Sequence, residues 1–236
     1  MTSRLFSTSV GQQEVAKALS HLIRQWALGL LLIGSFSSVN AANRLENIST
    51  RGPIETGDNV MIGGLIIQGD TDKTVVIRAR GPSLGAAGVA GTIVDPTMYV
   101  VNQATGALIE NGQNNNWADH PRASEIPAAL QPTDSLESVV VATLSPGAYT
   151  AVVSGVDGGT GVGIVEVFEI DQTARLANLS TRGLVGISDN VMIGGLIIQG
   201  NTDKTVVIRA RGPSLAAAGV EGTLADPFVY LVDQSD

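Results

Sequence analysis

A long stretch of this chain occurs twice. RLENISTRG at Arg44 to Gly52 returns as RLANLSTRG at Arg175 to Gly183, DNVMIGGLIIQG at Asp58 to Gly69 returns unchanged at Asp189 to Gly200, and TDKTVVIRARGPSL at Thr71 to Leu84 returns unchanged at Thr202 to Leu215. The offset is a constant 131 residues without a gap, and about 44 of the 62 aligned positions are identical. A period of that length matches a whole domain rather than a short solenoid unit. The chain therefore divides into residues 1 to 41, a complete repeat over 42 to 174, and the first half of a second copy over 175 to 236.

Within the repeat, Val, Ile, Ala, Gly and Thr dominate and aromatic residues are only 4% of the chain, a mixture that favours short strands joined by glycine turns. Turn residues delimit eight strands near Leu45 to Thr50, Asn59 to Gln68, Lys73 to Arg80, Thr97 to Gln103, Leu108 to Asn111, Ser138 to Leu144, Ala148 to Gly155 and Gly163 to Ile170. In KTVVIRAR the alternation puts Val75, Ile77 and Ala79 on one face and Val76, Arg78 and Arg80 on the other. GDTDK after Gln68 reads as the polar turn of a hairpin, and Pro146 with Gly147 as a tight turn. Only Arg122 to Leu130 offers a short helical turn, and no βαβ alternation is present. The expected fold is all-β, an antiparallel β-sandwich of jelly-roll or immunoglobulin-like type, in one complete repeat plus a truncated second copy.

The first 41 residues are of another kind. Arg4, Lys17 and Arg24 precede the apolar run Trp26 to Phe36, and small residues follow at Val39 and Ala41. That is the layout of a secretory signal peptide cleaved after Ala41. The run is about 11 residues, whereas a spanning helix needs roughly 20, so no stable transmembrane segment is expected after its removal. The segment holds three of the 14 basic and one of the 22 acidic residues, leaving 11 and 21 and a formal charge near −10. A surface of that sign repels nucleic acid. The absence of cysteine rules out a disulfide framework, thiolate zinc sites and a cysteine nucleophile.

The combination RLxNxSTRG, DNVMIGG, VVIRARGPSL, NNNW, SPGAYTAVVSG and GIVEVFEID, spread over Arg44 to Asp236, resembles a repeat of about 130 residues found in exported surface proteins of environmental Gram-negative bacteria. That resemblance implies export and surface location, with other copies of the repeat or cell-surface components as partners, and it brings no catalytic residues. The stretch from Asp95 to Gly155 also resembles the bacterial pre-peptidase C-terminal β-sandwich of secreted hydrolases, through its order of strand, Asn-rich loop, strand, Pro-Gly turn and strand. Here that loop carries Asn where the family often carries acidic residues.

Several patterns invite chemistry. Gly81-Pro82-Ser83-Leu84-Gly85 matches the G-x-S-x-G nucleophile elbow. An elbow needs a helix after the serine, but AAGVAG is broken by glycine, the second copy replaces the last glycine by Ala216, and the one histidine beyond residue 41 is His120. Ser83 is read instead as part of a strand-ending turn, bonding local backbone. GLIIQGDTDKT faintly resembles a phosphate loop, except that Asp70 stands where the lysine belongs. Calcium accepts amide carbonyls and carboxylates, so Asn114, Asn116 and Asp119, with Asn111 and Asn115 beside them, form the metal candidate, and a solvated asparagine turn is the alternative. Arg51, Arg78 and Arg80 are expected to pair with Asp58 or Asp95, which recur with them at the same offset, and anion binding is the functional alternative. Tyr149 and Phe168 read as core, and Trp117 as a plug or as an exposed platform for sugar. Together these features lead us to expect a non-catalytic exported structural or adhesive module, without cofactor, that self-associates through its truncated repeat. The alternative is an accessory domain of a secreted hydrolase whose catalytic part is outside this chain.

Overall fold

The computed structural model describes residues 44 to 171 and 175 to 233. The expected signal peptide and its expected cleavage after Ala41 lie outside the described residues. Among the described residues no helix is long and apolar enough to cross a membrane.

Among the described residues, ten antiparallel strands form two sheets. In chain order they are β1 (Arg44–Ile54), β2 (Met61–Gln68), β3 (Lys73–Arg80), β4 (Pro96–Asn102), β5 (Leu108–Asn114), β6 (Ser138–Leu144), β7 (Gly147–Gly155), β8 (Gly161–Glu169), β9 (Arg175–Arg182) and β10 (Ile193–Gln199). One sheet runs β10-β1-β8-β3-β6 and the other β5-β4-β7-β2-β9. The eight strands expected from the repeat are all present. Their order, 1-8-3-6 over 5-4-7-2, is that of a jelly roll rather than of an immunoglobulin domain.

The core lies between the sheets. Val75, Ile77 and Ala79 face inward from β3, as the alternation requires, and meet Leu65 and Ile67 of β2 and Ala151 and Val153 of β7. On the outer face of the first sheet, Val76, Val139, Val141 and Phe168 form a second apolar cluster, and the segment between β5 and β6 covers it with Ile126 and the half-buried Trp117 and Leu130. Within that segment the expected helical turn appears as two short 3-10 turns, Ala123–Glu125 and Ala128–Leu130.

Two local expectations change. GDTDK is not a hairpin turn, because β2 pairs with β7 and β9 while β3 pairs with β6 and β8. It arches from one sheet to the other, and Gly69 makes the bend with φ of 140°, which disfavours any residue with a Cβ. The turn after β3 also contains a five-residue helix, α1 (Pro82–Ala86), that the glycines around it conceal. Gly81 enters it so close to the Ile93 carbonyl that a Cβ would stand 2.2 Å from that oxygen.

The second copy forms no sandwich of its own among the described residues. Its first two strands, β9 and β10, complete the sheets of the first copy, with β9 beside β2 and β10 beside β1. Leu176 of β9 is 1% exposed in the shared core. The counterparts of β3 and β4 are not strands, although the sequence of the former is identical from Lys204 to Arg211. In the complete repeat β3 lies between β6 and β8, and β4 between β5 and β7, and among the described residues no strands stand in those places beside the second copy. Val207 is therefore 83% exposed where Val76 is 0%. Only the local helix returns, as α2 (Pro213–Ala216).

Candidate functional site

The charged residues singled out by the sequence converge on the outer face of the first sheet. On β3, Arg78 and Arg80 project from the side that carries Val76, and on the neighbouring β8 the alternation of GIVEVFE places Glu166 opposite Arg78 and Phe168 opposite Val76. Arg78 Nε donates to Glu166 Oε2 at 2.6 Å, Arg78 Nη1 donates to the Leu130 carbonyl at 2.7 Å, and the guanidinium lies 5.0 Å from the centre of the Phe168 ring. Arg78 thus ties the covering loop to the sheet, by a charge-assisted hydrogen bond and a cation–π contact.

Arg80 and Ser83 form the adjoining part. Arg80 donates to Ser83 Oγ through Nε at 3.0 Å and Nη2 at 2.7 Å. The Ser83 hydroxyl in turn donates to Glu137 Oε1, which also accepts the backbone N–H groups of Gly81 at 3.2 Å and Ser83 at 3.0 Å. Glu137 is fully buried, with Arg80 Nε 3.6 Å from its second oxygen. Ser83 therefore gives its proton to a carboxylate while its oxygen accepts from a guanidinium, which is a different arrangement from a nucleophile with an imidazole base. The expectation that it bonds local backbone is also corrected. Its hydroxyl is bonded to the side chains of Arg80 and Glu137.

The acidic partners differ from those expected. Glu166 and Glu137 hold Arg78 and Arg80, and Asp95 stands near Asp157 instead, where burial and that second negative charge raise its pKa. Asp58 is exposed. Arg51 is 1% exposed, and burial lowers its pKa while the charge of Asp189, the second-copy counterpart of Asp58, opposes that shift. At the far end of β3 the fully buried Lys73 donates to Asp171 Oδ1 at 2.9 Å and lies 3.4 Å from Glu169 Oε2. Glu169 also accepts the Leu176 N–H at 2.7 Å, which fastens the start of β9.

The asparagine loop is internally bonded. Asn114 Oδ1 accepts the Val139 N–H at 2.9 Å and its amide donates to the Asn116 carbonyl at 2.9 Å, so the oxygen that calcium would need is already engaged. Asn116 turns its amide nitrogen toward Asp119 Oδ2 at 3.2 Å. Among the described residues no group of three or more His, Asp or Glu side chains is placed to hold a metal ion. Trp117 packs its ring on the outer cluster rather than standing free, and Tyr149 is 5% exposed with its hydroxyl donating to the Ser145 carbonyl at 2.8 Å.

His120 holds the loop at its centre. Its Nδ1 accepts the Arg122 N–H at 3.1 Å, so its Nε2 carries the proton and donates to the Asn111 carbonyl at 3.1 Å. Burial lowers the His120 pKa, and the nearby Arg122 charge acts in the same direction, against the Asn111 hydrogen bond and Glu125.

Sequence reasoning missed Glu137, Glu166 and Lys73. For Glu166 a signal existed, since a carboxylate inside the apolar strand GIVEVFE needs a cation on a neighbouring strand. Glu137 gives no such signal, because its partners lie 54 to 57 positions away in sequence. Comparison with protein-family models, with curated proteins and with solved structures finds no match to the chain.

Proposed function

We propose that the chain is a non-catalytic, exported structural or adhesive module of a bacterial cell-surface or secreted multi-domain protein. The observation that carries this reading is the internal commitment of its polar groups. Ser83, Arg80 and Glu137 engage one another, Arg78 is held by Glu166 and Lys73 by Asp171. Groups bound in this way hold a sandwich together and leave its surface to recognition. The apolar leader, the acidic remainder and the duplicated sequence support export and modular use.

The purified chain lacking residues 1 to 41 is the test material. We expect no turnover of ester, peptide or glycoside substrates and measurable retention on bacterial cells or on immobilised copies of the repeat. Turnover abolished by Ser83→Ala would replace this reading with hydrolysis at Ser83. In a Gram-negative host, export of the full chain with a new N-terminus at Ala42 is expected, and an intact leader in the membrane fraction would overturn the export reading.

A further inference from the structure

The contact between the two copies is self-complementary. In the β1 and β10 pair, Arg51 faces Ile193, Thr50 faces Gly194, Ser49 faces Gly195, Ile48 faces Leu196 and Asn47 faces Ile197. In the β2 and β9 pair, Arg182 faces Ile62, Thr181 faces Gly63, Ser180 faces Gly64, Leu179 faces Leu65 and Asn178 faces Ile66. An offset of 131 carries each pair of one set onto a pair of the other, and the register irregularity falls at the same place in both, after Leu45 and after Ile66. Thr50 and Thr181 are themselves counterparts 131 positions apart, and their hydroxyls meet at 2.7 Å. A residue touching its own counterpart marks a two-fold axis, the signature of an isologous interface.

We propose that the β1 and β2 edges of one repeat form a docking surface whose partner is the same surface of a second repeat, in cis as seen here and in trans, between two chains, when the cis partner is withdrawn. A surface complementary to itself under a two-fold rotation accepts any copy that presents it, whichever chain supplies that copy. Strand addition to an open sheet edge provides the affinity through main-chain hydrogen bonds, and Gly64 leaves room for the facing Ser180, whose hydroxyl would stand 2.7 Å from a Cβ at that position. Because a two-fold contact closes on itself, repeats associate in pairs through this surface and do not grow into a fibre. The proposal goes beyond the reading as a non-catalytic module and holds whichever ligand that module takes.

The full chain has no cysteine, so introduced thiols report alone. In the Thr50→Cys and Thr181→Cys double variant, oxidation is expected to close a disulfide within one chain and leave the apparent mass unchanged. For the trans arm, Thr50→Cys is combined with Leu176→Asp, Leu179→Asp and Leu196→Pro, which place charge on the inward side of β9 and break the β10 ladder, so that both strands are expelled and both edges open. This variant is expected to double its mass by a disulfide between the thiols introduced at position 50 of two chains, because the axis now relates two identical edges. A second variant, Thr50→Cys with Leu179→Pro and Leu196→Pro, expels β9 and β10 without a buried charge and is expected to behave alike. An open thiol pair in the first variant overturns the two-fold contact. A folded expelled variant that stays monomeric with its thiol free overturns docking in trans. Loss of cooperative unfolding in both expelled variants does so equally, since a first repeat unable to stand without β9 and β10 cannot offer its edge to another chain.

Discussion

At the residue scale the molecule is held by charges that the apolar sandwich has buried and then matched. His120 shows the consequence of burying a titratable group in its neutral form. Its folded pKa lies below the ordinary value of 6.5, so in the unfolded chain the imidazole takes up its proton first as pH falls. The stability that neutral His120 confers is therefore complete above about pH 6.5 and lost as pH falls through that value toward the lower folded pKa. The urea midpoint is expected to drop between pH 7.5 and 5.5, and a His120→Asn variant, less stable at pH 7.5, to lose that part of the slope. The Arg78 and Glu166 pair makes the complementary case. Both side chains are under 10% exposed, so Glu166→Leu leaves a buried guanidinium without its counter-charge and is expected to cost about 3–5 kcal/mol. Replacing both by apolar residues, Arg78→Met with Glu166→Leu, is expected to recover most of that loss in denaturant titration. If the double variant is as unstable as the single one, packing against Phe168 and Leu130 outweighs the charge pair.

At the element scale, partners rather than propensity decide which segments become strands. All eight strands of the complete repeat were legible, two of them, β3 and β6, to the residue, because apolar alternation between turns is a local signal. The pairing was not legible in the same way. GDTDK looks like a hairpin turn by composition, yet β2 and β3 lie in different sheets, and no local pattern distinguishes an arch from a hairpin. The same limit explains the acidic partners. Glu166 belongs to a strand and was within reach of a periodicity argument, whereas Glu137 reaches Gly81 and Ser83 only through the closure of the fold. The second copy is the sharpest instance, since identical sequence forms a strand at Lys73–Arg80 and none at residues 204 to 211. Local propensity is the same for both, so the difference is the presence of β6 and β8. Hydrogen exchange is expected to show amides between Thr74 and Ala79 protected to the level of global unfolding and those between Thr205 and Ala210 exchanging within the dead time. Equal protection in the two segments would mean that the second copy finds strand partners in solution.

At the scale of the whole molecule, sequence repeat and folding unit divide the chain differently, and matched substitutions measure the difference. By sequence, Ile77 and Ile208 are the same residue of two copies, and Leu176 belongs to the second. By packing, Ile77 is 0% exposed, Leu176 1% and Ile208 42%. Deleting a buried aliphatic side chain removes its transfer free energy and leaves a cavity, about 2–5 kcal/mol for Ile or Leu to Ala. A residue already open to water loses little, within about 0.5 kcal/mol. Ile77→Ala and Leu176→Ala are thus expected to lower the stability of the full chain by comparable amounts, each in a single cooperative transition, and Ile208→Ala to leave it unchanged. Leu176 acts in this way because β9 lies beside β2 in the second sheet and shares its core with Leu65 and Ile67, while Glu169 holds its first amide. Ile208 has no such sheet among the described residues, where no strand lies beside it as β6 and β8 lie beside Ile77. If Leu176→Ala proves as silent as Ile208→Ala, β9 does not dock on β2 in solution and the repeat is bounded where the sequence alone would put it. If Ile208→Ala proves as costly as Ile77→Ala, the second copy has built a core of its own, with strands supplied by another chain.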